Sequence, residues 1–296
     1  MRVFALSDLH VDNSENMSWL EGLSAADFTE DALIISGDVS HDMKRLQRTL
    51  ESIRARFAEV FFVPGNHELW LGQGHSGNSV EKFWDIVGVC SSLGIHTRTG
   101  KIGTASGVGG VWVVPLYAWY LKPEEGEGSL FVPKEGEDPS LESWSDNYFI
   151  RWEPTEQSTT PADYFLRLNE ESLQKSYDAP VISFSHFLPR KELMFSSPAE
   201  DEALGGPVQD IHPGFNFSRV AGCAGLDEQI RRLGSTIHVY GHQHRHRNRV
   251  IEGVRYISHC LGYPHERTNR QIRNLGDGPL LIWDSLSAVA ANPSPP

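Results

Sequence analysis

Arg2-Val-Phe-Ala-Leu-Ser-Asp-Leu-His10 is an apolar run that ends in a carboxylate and an imidazole. Four later stretches repeat the form. Ala32-Leu-Ile-Ile-Ser36 leads into Gly37-Asp38, and Val60-Phe-Phe-Val63 leads into Gly65-Asn66-His67-Glu68. Val181-Ile-Ser-Phe-Ser185 leads into His186, and Ile237-His-Val-Tyr240 into Gly241-His242-Gln243-His244. Short apolar runs with polar tips read as buried strands whose ends carry function. In α/β sheets such strand ends converge, which would collect these tips in one cleft.

The segments between them read as crossover helices. Glu15 to Leu23 has apolar positions that fit a helix. His41 to Ala58 carries Met43, Leu46, Leu50, Ile53 and Phe57 at spacings of three and four, the pattern of an amphipathic helix packed on a core. Val80 to Cys90 is a third. This alternation predicts parallel strand pairing. Further on, Gly107 to Tyr117 and Gly278 to Asp284 read as strands, and Arg249 to His259 as a hairpin with a glycine in its turn. Two packed sheets with helices outside them are expected.

The polar tips suit a dinuclear metal centre. Two cations about 3.5–4 Å apart share a bridging ligand, and a carboxylate can serve both; Asp38 is the candidate bridge. Asp8 and His10 leave the first strand one residue apart. His242 and His244 repeat that spacing, which in extended backbone sends both side chains to one side. Asn66 offers an amide oxygen and His186 another imidazole. This mixed set suits Mn, Fe, Zn, Co or Ni, divalent or trivalent, better than Mg or Ca. Each residue alone has an ordinary reading: a helix cap or turn for Asp8 and Asp38, a core histidine for His186. Glu68 reads equally as a first-turn helix acid or as a support behind the ligands.

Taken in order, Asp-x-His, Gly-Asp, Gly-Asn-His-Glu, a lone His and Gly-His-x-His resemble the calcineurin-like metallophosphoesterase family, over a span from Asp8 to His244. The resemblance implies a four-layer αββα sandwich of two mixed sheets flanked by helices. It implies Asp8, His10 and His244 on one metal, Asn66, His186 and His242 on the other, and Asp38 between them. His67 would touch the phosphoryl group and assist the leaving oxygen, and a metal-bound hydroxide would attack. The expected reaction is hydrolysis of a small-molecule phosphodiester or phosphomonoester. A non-catalytic interaction scaffold of the same fold is the competing class; a protein phosphatase, pyrophosphate-bond hydrolase or nuclease competes within the enzymes.

At 296 residues, 39% hydrophobic and 22% charged, the chain fits one globular domain, expected over residues 1–290 with a frayed tail at 291–296. A net charge of −13 argues against a nucleic-acid polymer as partner. Cys90, Cys223 and Cys260 form no zinc or disulfide pattern, so a reducing compartment is expected. The first strand leaves no room for a leader and no stretch is long enough to span a bilayer, which points to the cytoplasm. Oligomeric state is not legible.

Residues 121–178 carry no metal motif but many aromatics, and read as an excursion or a lid. Trp119, Tyr120, Arg151 and Arg190 are candidate substrate contacts, with His75 in the loop Gly72-Gln-Gly-His-Ser-Gly77. His41 is a candidate to orient the bridge from behind. His246 with Arg245, Arg247 and Arg249 reads as a solvated strand face.

Overall fold

Val3 and Ala5 alternate with Phe4 and Leu6 along β1 (Arg2–Leu6), and the two sets serve different layers. The computed structural model describes residues 1–72, 77–103, 110–154, 158–276 and 278–286. After β1 come α1 (Ser14–Glu21), β2 (Ala32–Ser36), α2 (Met43–Arg54), β3 (Glu59–Val63) and α3 (Ser79–Ser92). These are the expected βα repeats. The second helix starts at Met43 because Asp42 caps it, its carboxylate accepting from the Arg45 N–H at 2.8 Å.

The second half begins with β4 (Gly100–Ile102) and β5 (Val111–Pro115), followed by α4 (Asp146–Phe149), α5 (Pro161–Leu168) and α6 (Glu170–Gln174). Then come β6 (Val181–Phe184), α7 (Pro198–Leu204), α8 (Gly225–Arg232), β7 (Ser235–Tyr240), β8 (Arg247–Ile251), β9 (Val254–Ser258), α9 (Pro264–Thr268) and β10 (Leu280–Asp284). The hairpin between β8 and β9 turns on Glu252 at φ 48° and Gly253 at φ 84°, the paired left-handed residues that match strand twist.

One sheet has the order β10-β1-β2-β3, with β1, β2 and β3 parallel and β10 antiparallel on the edge. The other has the order β4-β5-β6-β7-β9-β8, parallel at its centre and antiparallel at both edges. Val3, Ala5, Ile34, Phe61 and Val63 of the first sheet meet Val113, Ile182, Phe184, Val239 and Ile257 of the second in one apolar core. The opposite face of the first sheet buries Phe4, Leu6, Leu33 and Ile35 under Leu46, Leu50 and Ile53 of α2 and Ile86 of α3. The opposite face of the second packs Val114, Val181, Tyr240 and Tyr256 against Phe165 of α5 and Leu226 and Ile230 of α8. The result is the expected four-layer α/β sandwich.

The short helices α7, α8 and α9 were not anticipated. Between residues 121 and 178, Leu141 from the loop before α4, Ala162 and Phe165 of α5 and Leu173 of α6 pack into the outer core. Cys90, Cys223 and Cys260 are buried and unpaired. Among the described residues no helix is long and apolar enough to cross a membrane. Residues 291–296, expected to fray, and His75 lie outside the described residues.

Candidate metal centre

The strand ends place their polar residues through unusual backbone. Asp8 (φ 51°), His10 (φ 41°), Asp38 (φ 56°), His242 (φ 72°) and His244 (φ 51°) all sit in the left-handed region. For non-glycine residues that region costs about 1–2 kcal/mol each, and such strain gathers where function fixes geometry. The expectation that His242 and His244 face one way through extended backbone is corrected here. The chain turns as it leaves β7, the Gln243 N–H donating to the Gly241 carbonyl at 2.9 Å, and the left-handed turn aims both rings inward.

Two sets of donor atoms converge. Ligand-type atoms of Asp8, His10, Asp38 and His244 lie within 4.8 Å of one another, as do those of Asp38, His186 and His242; Asp38 belongs to both. His10 Nε2 and His244 Nε2 are 2.9 Å apart. His186 Nε2 lies 3.1 Å from Asn66 Oδ1, 3.2 Å from His242 Nδ1 and 3.4 Å from Asp38 Oδ2. The outward nitrogens are held: His186 Nδ1 meets the Ser36 carbonyl at 2.9 Å, His242 Nε2 the Val220 carbonyl at 2.8 Å, and His244 Nδ1 the Glu266 carboxylate at 2.8 Å. Such partners fix which ring nitrogen faces the centre.

The electrostatics fit bound cations. Asp8 and Asp38 are buried, and among the described residues neither pairs with a lysine or arginine. Buried carboxylates without a positive partner are costly. Burial, with Glu68 and Asp8 beside it, pushes the Asp38 carboxyl well up. Burial pulls His10, His186 and His242 down towards the neutral, ligating form. His244 goes the other way: burial acts to lower it, but Glu266 and Asp8 together outweigh that effect. Oxygen and imidazole donors around two buried carboxylates that no lysine or arginine neutralises are a donor set that two transition-metal ions would complete.

Glycines let the loops approach. A Cβ on Gly65 would collide with Asp38 Oδ1, and one on Gly37, at φ 78°, would stand 2.5 Å from His186 Nδ1.

Glu68 proves to be the organiser of these loops. Its buried carboxylate accepts from the backbone N–H groups of Asp38 (2.8 Å), Val39 (2.6 Å), Ser40 (2.9 Å) and Gly65 (2.7 Å). Thus it clamps the Gly-Asp loop to the Gly-Asn-His turn. Glu68→Gln replaces acceptor lone pairs with an N–H₂ group facing N–H donors. We expect a loss of about 2–3 kcal/mol in unfolding free energy, read from denaturant titration; a shift under about 0.5 kcal/mol would contradict the clamp.

His67 is placed differently from the ligands. Its backbone N–H donates to Asp38 Oδ1 at 3.0 Å, its ring lies 3.7 Å from the Trp70 ring, and its Nε2 is 3.9 Å from Asp38 Oδ2. The His67 side chain keeps 14% of its surface accessible, against 2% for His10. Burial, then His244 and His186 nearby, holds its ring well below the usual histidine range.

The substrate candidates scatter. Trp119 and Tyr120 are 3% and 5% exposed, and their rings pack on each other and on Phe187 in the core, so neither offers a free stacking face. The Arg190 guanidinium is taken up by Glu192 and Glu252 at 2.8 Å and Asp227 at 3.3 Å. Arg151 is exposed, its backbone paired with Ser79. His41 pairs with Asp12 at 3.1 Å, and among the described residues no hydrogen bond or ion pair joins it to Asp38. Arg247 is buried, and with Arg249 it grips Glu200 of α7, which corrects the solvated-face reading for those two. Arg245 instead lines a cavity of about 590 Å³ together with Met194, Phe215, Phe217 and Gln243. Phe217 of its wall lies 5.3 Å from the His242 ring and Glu266 of its wall bonds His244, so the cavity borders residues that support the candidate ligands, none of which lines it. Sequence reasoning missed Glu266, Tyr263 stacked on His10 at 4.3 Å, and Asp146, which bonds Asn66.

Comparison with known proteins establishes the family. A curated relative, the [acyl-carrier-protein] phosphodiesterase PptH of Mycobacterium tuberculosis (strain ATCC 25618 / H37Rv), is 25% identical over 276 residues, covering 91% of this chain and 80% of its own. The crystal structure of phosphopantetheinyl hydrolase (PptH) from Mycobacterium tuberculosis superposes with a TM-score of 0.68 at 23% identity, covering 91% of this chain and 92% of that one. The model of the calcineurin-like phosphoesterases matches residues 1–246. The chain belongs to the calcineurin-like phosphoesterase family, and its chemistry is the metal-dependent hydrolysis of phosphate esters.

Proposed function

We propose that this chain is a phosphodiesterase that releases a phosphopantetheine arm from a carrier protein. The observation that carries the reading is the cavity of about 590 Å³ that borders the candidate metal centre through Phe217, Gln243 and Glu266. A phosphate alone would leave it empty, whereas a long arm with apolar and amide segments fills a space walled by Met194, Phe215, Phe217 and Gln243. Arg245 stands on that wall, ion-paired with no carboxylate among the described residues, and is suited to a non-bridging phosphate oxygen. Similarity to a relative named for acyl carrier protein supports the same choice.

In this reading Asp8, His10 and His244 would hold one metal, Asn66, His186 and His242 the other, with Asp38 serving both. Mn, Fe, Zn, Co or Ni suits the donors. When bound, the ions neutralise phosphoryl charge and lower the pKa of water. His67, beside the cluster and less buried than the ligands, donates its ring N–H to the leaving oxygen. Residues 1–290 act as one domain, and the segment 121–178 is a wall of the cleft that a lid would need to unpack: Trp144 lies 5.9 Å from the His242 ring. A reducing compartment such as the cytoplasm suits the three unpaired cysteines, and the net charge of −13 suits no nucleic-acid polymer.

The test is incubation of purified, Mn²⁺-loaded protein with a phosphopantetheinylated carrier protein, read by intact mass. Loss of one phosphopantetheine, together with turnover of bis-para-nitrophenyl phosphate above the mono-ester, is expected. Turnover of the mono-ester alone, with the carrier untouched, would sink the diesterase reading and leave a phosphomonoesterase.

A further inference from the structure

The segment between β5 and β6 reaches the metal centre through one buried side chain. Asp146, at the start of α4, is 2% exposed. Its Oδ1 accepts two hydrogen bonds, from Asn66 Nδ2 at 2.9 Å and from the Trp70 indole N–H at 2.6 Å. Both donors belong to the Gly-Asn-His turn or its continuation, yet Asp146 lies some 80 residues away in sequence.

The chemistry of that pair of bonds is directional. An amide side chain has an acceptor end and a donor end, and an ionised carboxylate only accepts. Asp146 therefore takes the N–H₂ end of Asn66 and leaves its Oδ1 facing the cluster, 3.1 Å from His186 Nε2. The second bond locks the Trp70 indole, on which the His67 ring rests at 3.7 Å. A single oxygen thus sets the flip of one candidate ligand and the bed of the candidate acid.

We infer that Asp146 is a positioning residue that turns the Asn66 amide oxygen towards its metal and fixes His67 through Trp70. The inference rests on the roles given above to Asn66 and His67. It acts through acceptor geometry rather than through negative charge. Asparagine at this position keeps one oxygen for both donors, and its amide nitrogen replaces Asp146 Oδ2, to which no hydrogen bond is aligned although the Tyr120 hydroxyl and the Trp144 indole stand near the carboxylate.

The experiment uses full-length wild type, Asp146→Ala and Asp146→Asn, stripped of metal and titrated with Mn²⁺. Bound metal is read by elemental analysis and turnover with bis-para-nitrophenyl phosphate. Asp146→Ala should weaken one of the two ions by about 10- to 100-fold while the other stays, and should lower kcat more than it raises KM. Asp146→Asn should stay within about threefold of wild type in both readouts. Two tightly held ions and unchanged kcat in the alanine variant would overturn the inference, and so would an asparagine variant that loses metal. If the alanine variant does not fold, Asp146→Leu, which keeps the volume and removes both acceptor oxygens, takes its place with the same expected loss of one ion. Wild-type protein that binds fewer than two ions would sink the ligand assignment itself, and is seen before any variant is compared.

Discussion

Asp38→Asn should empty both metal positions and lower kcat/KM by about 10³-fold or more. Asp38, the proposed bridge, is the one residue shared by both donor sets among the described residues. Two ions supply several kcal/mol of charge stabilisation in the transition state, and about 4 kcal/mol corresponds to about 10³ in rate. An asparagine preserves shape and the bond from the His67 N–H, so the change isolates charge and the second oxygen. Metal content by elemental analysis and kcat/KM on bis-para-nitrophenyl phosphate are the two readouts. Full occupancy of both positions would remove Asp38 from the bridge, whatever happens to the rate.

His67→Ala gives the complementary result. Both ions should remain, because His67 lies outside the two converging donor sets. Turnover should fall by about 10²–10⁴-fold, the range for loss of a positioned acid. The loss should shrink as the leaving group improves, because a stable phenolate needs no proton. A set of aryl esters of graded acidity measures this as a steeper dependence on leaving-group pKa in the variant. Equal losses across that set would show that His67 binds the phosphoryl group instead of serving the leaving oxygen.

The strands and their polar tips could be read from sequence because each signal is local: a branched apolar run, then a turn residue. The candidate ligand residues could be picked out because their motifs stand in a fixed order, and the structure brings their side chains together. The four layers were legible through the family resemblance; the structure supplies their basis, with Val3 and Ala5 on one face of the first strand and Phe4 and Leu6 on the other. What escaped was support from a distance. Glu266 comes from a five-residue helix after the last motif, and Asp146 from a four-residue helix in a region with no periodic pattern. Neither carries a mark that separates it from an ordinary surface acid until the chain brings His244 or Asn66 against it. Glu68 was legible as an acid beside the motif, but four backbone N–H groups pointing at it follow only from the meeting of two loops. The aromatic pair Trp119 and Tyr120 misled for the opposite reason: a cluster of rings after a strand looks the same whether it faces a ligand or Phe187.

The left-handed residues at the strand ends bear on how such a chain would age if its reaction ceased to matter. Asp8, His10, Asp38, His242 and His244 hold a conformation that glycine adopts freely and asparagine more readily than most. While the cleft is at work, drift at these positions destroys activity and is purged. In a copy freed from that demand, the same changes would ease the backbone and raise stability, so they would accumulate. A retired enzyme of this fold should therefore be recognisable by glycines and asparagines where its ligands once stood. This chain, with a donor still seated at every one of those costly positions, has not begun that drift.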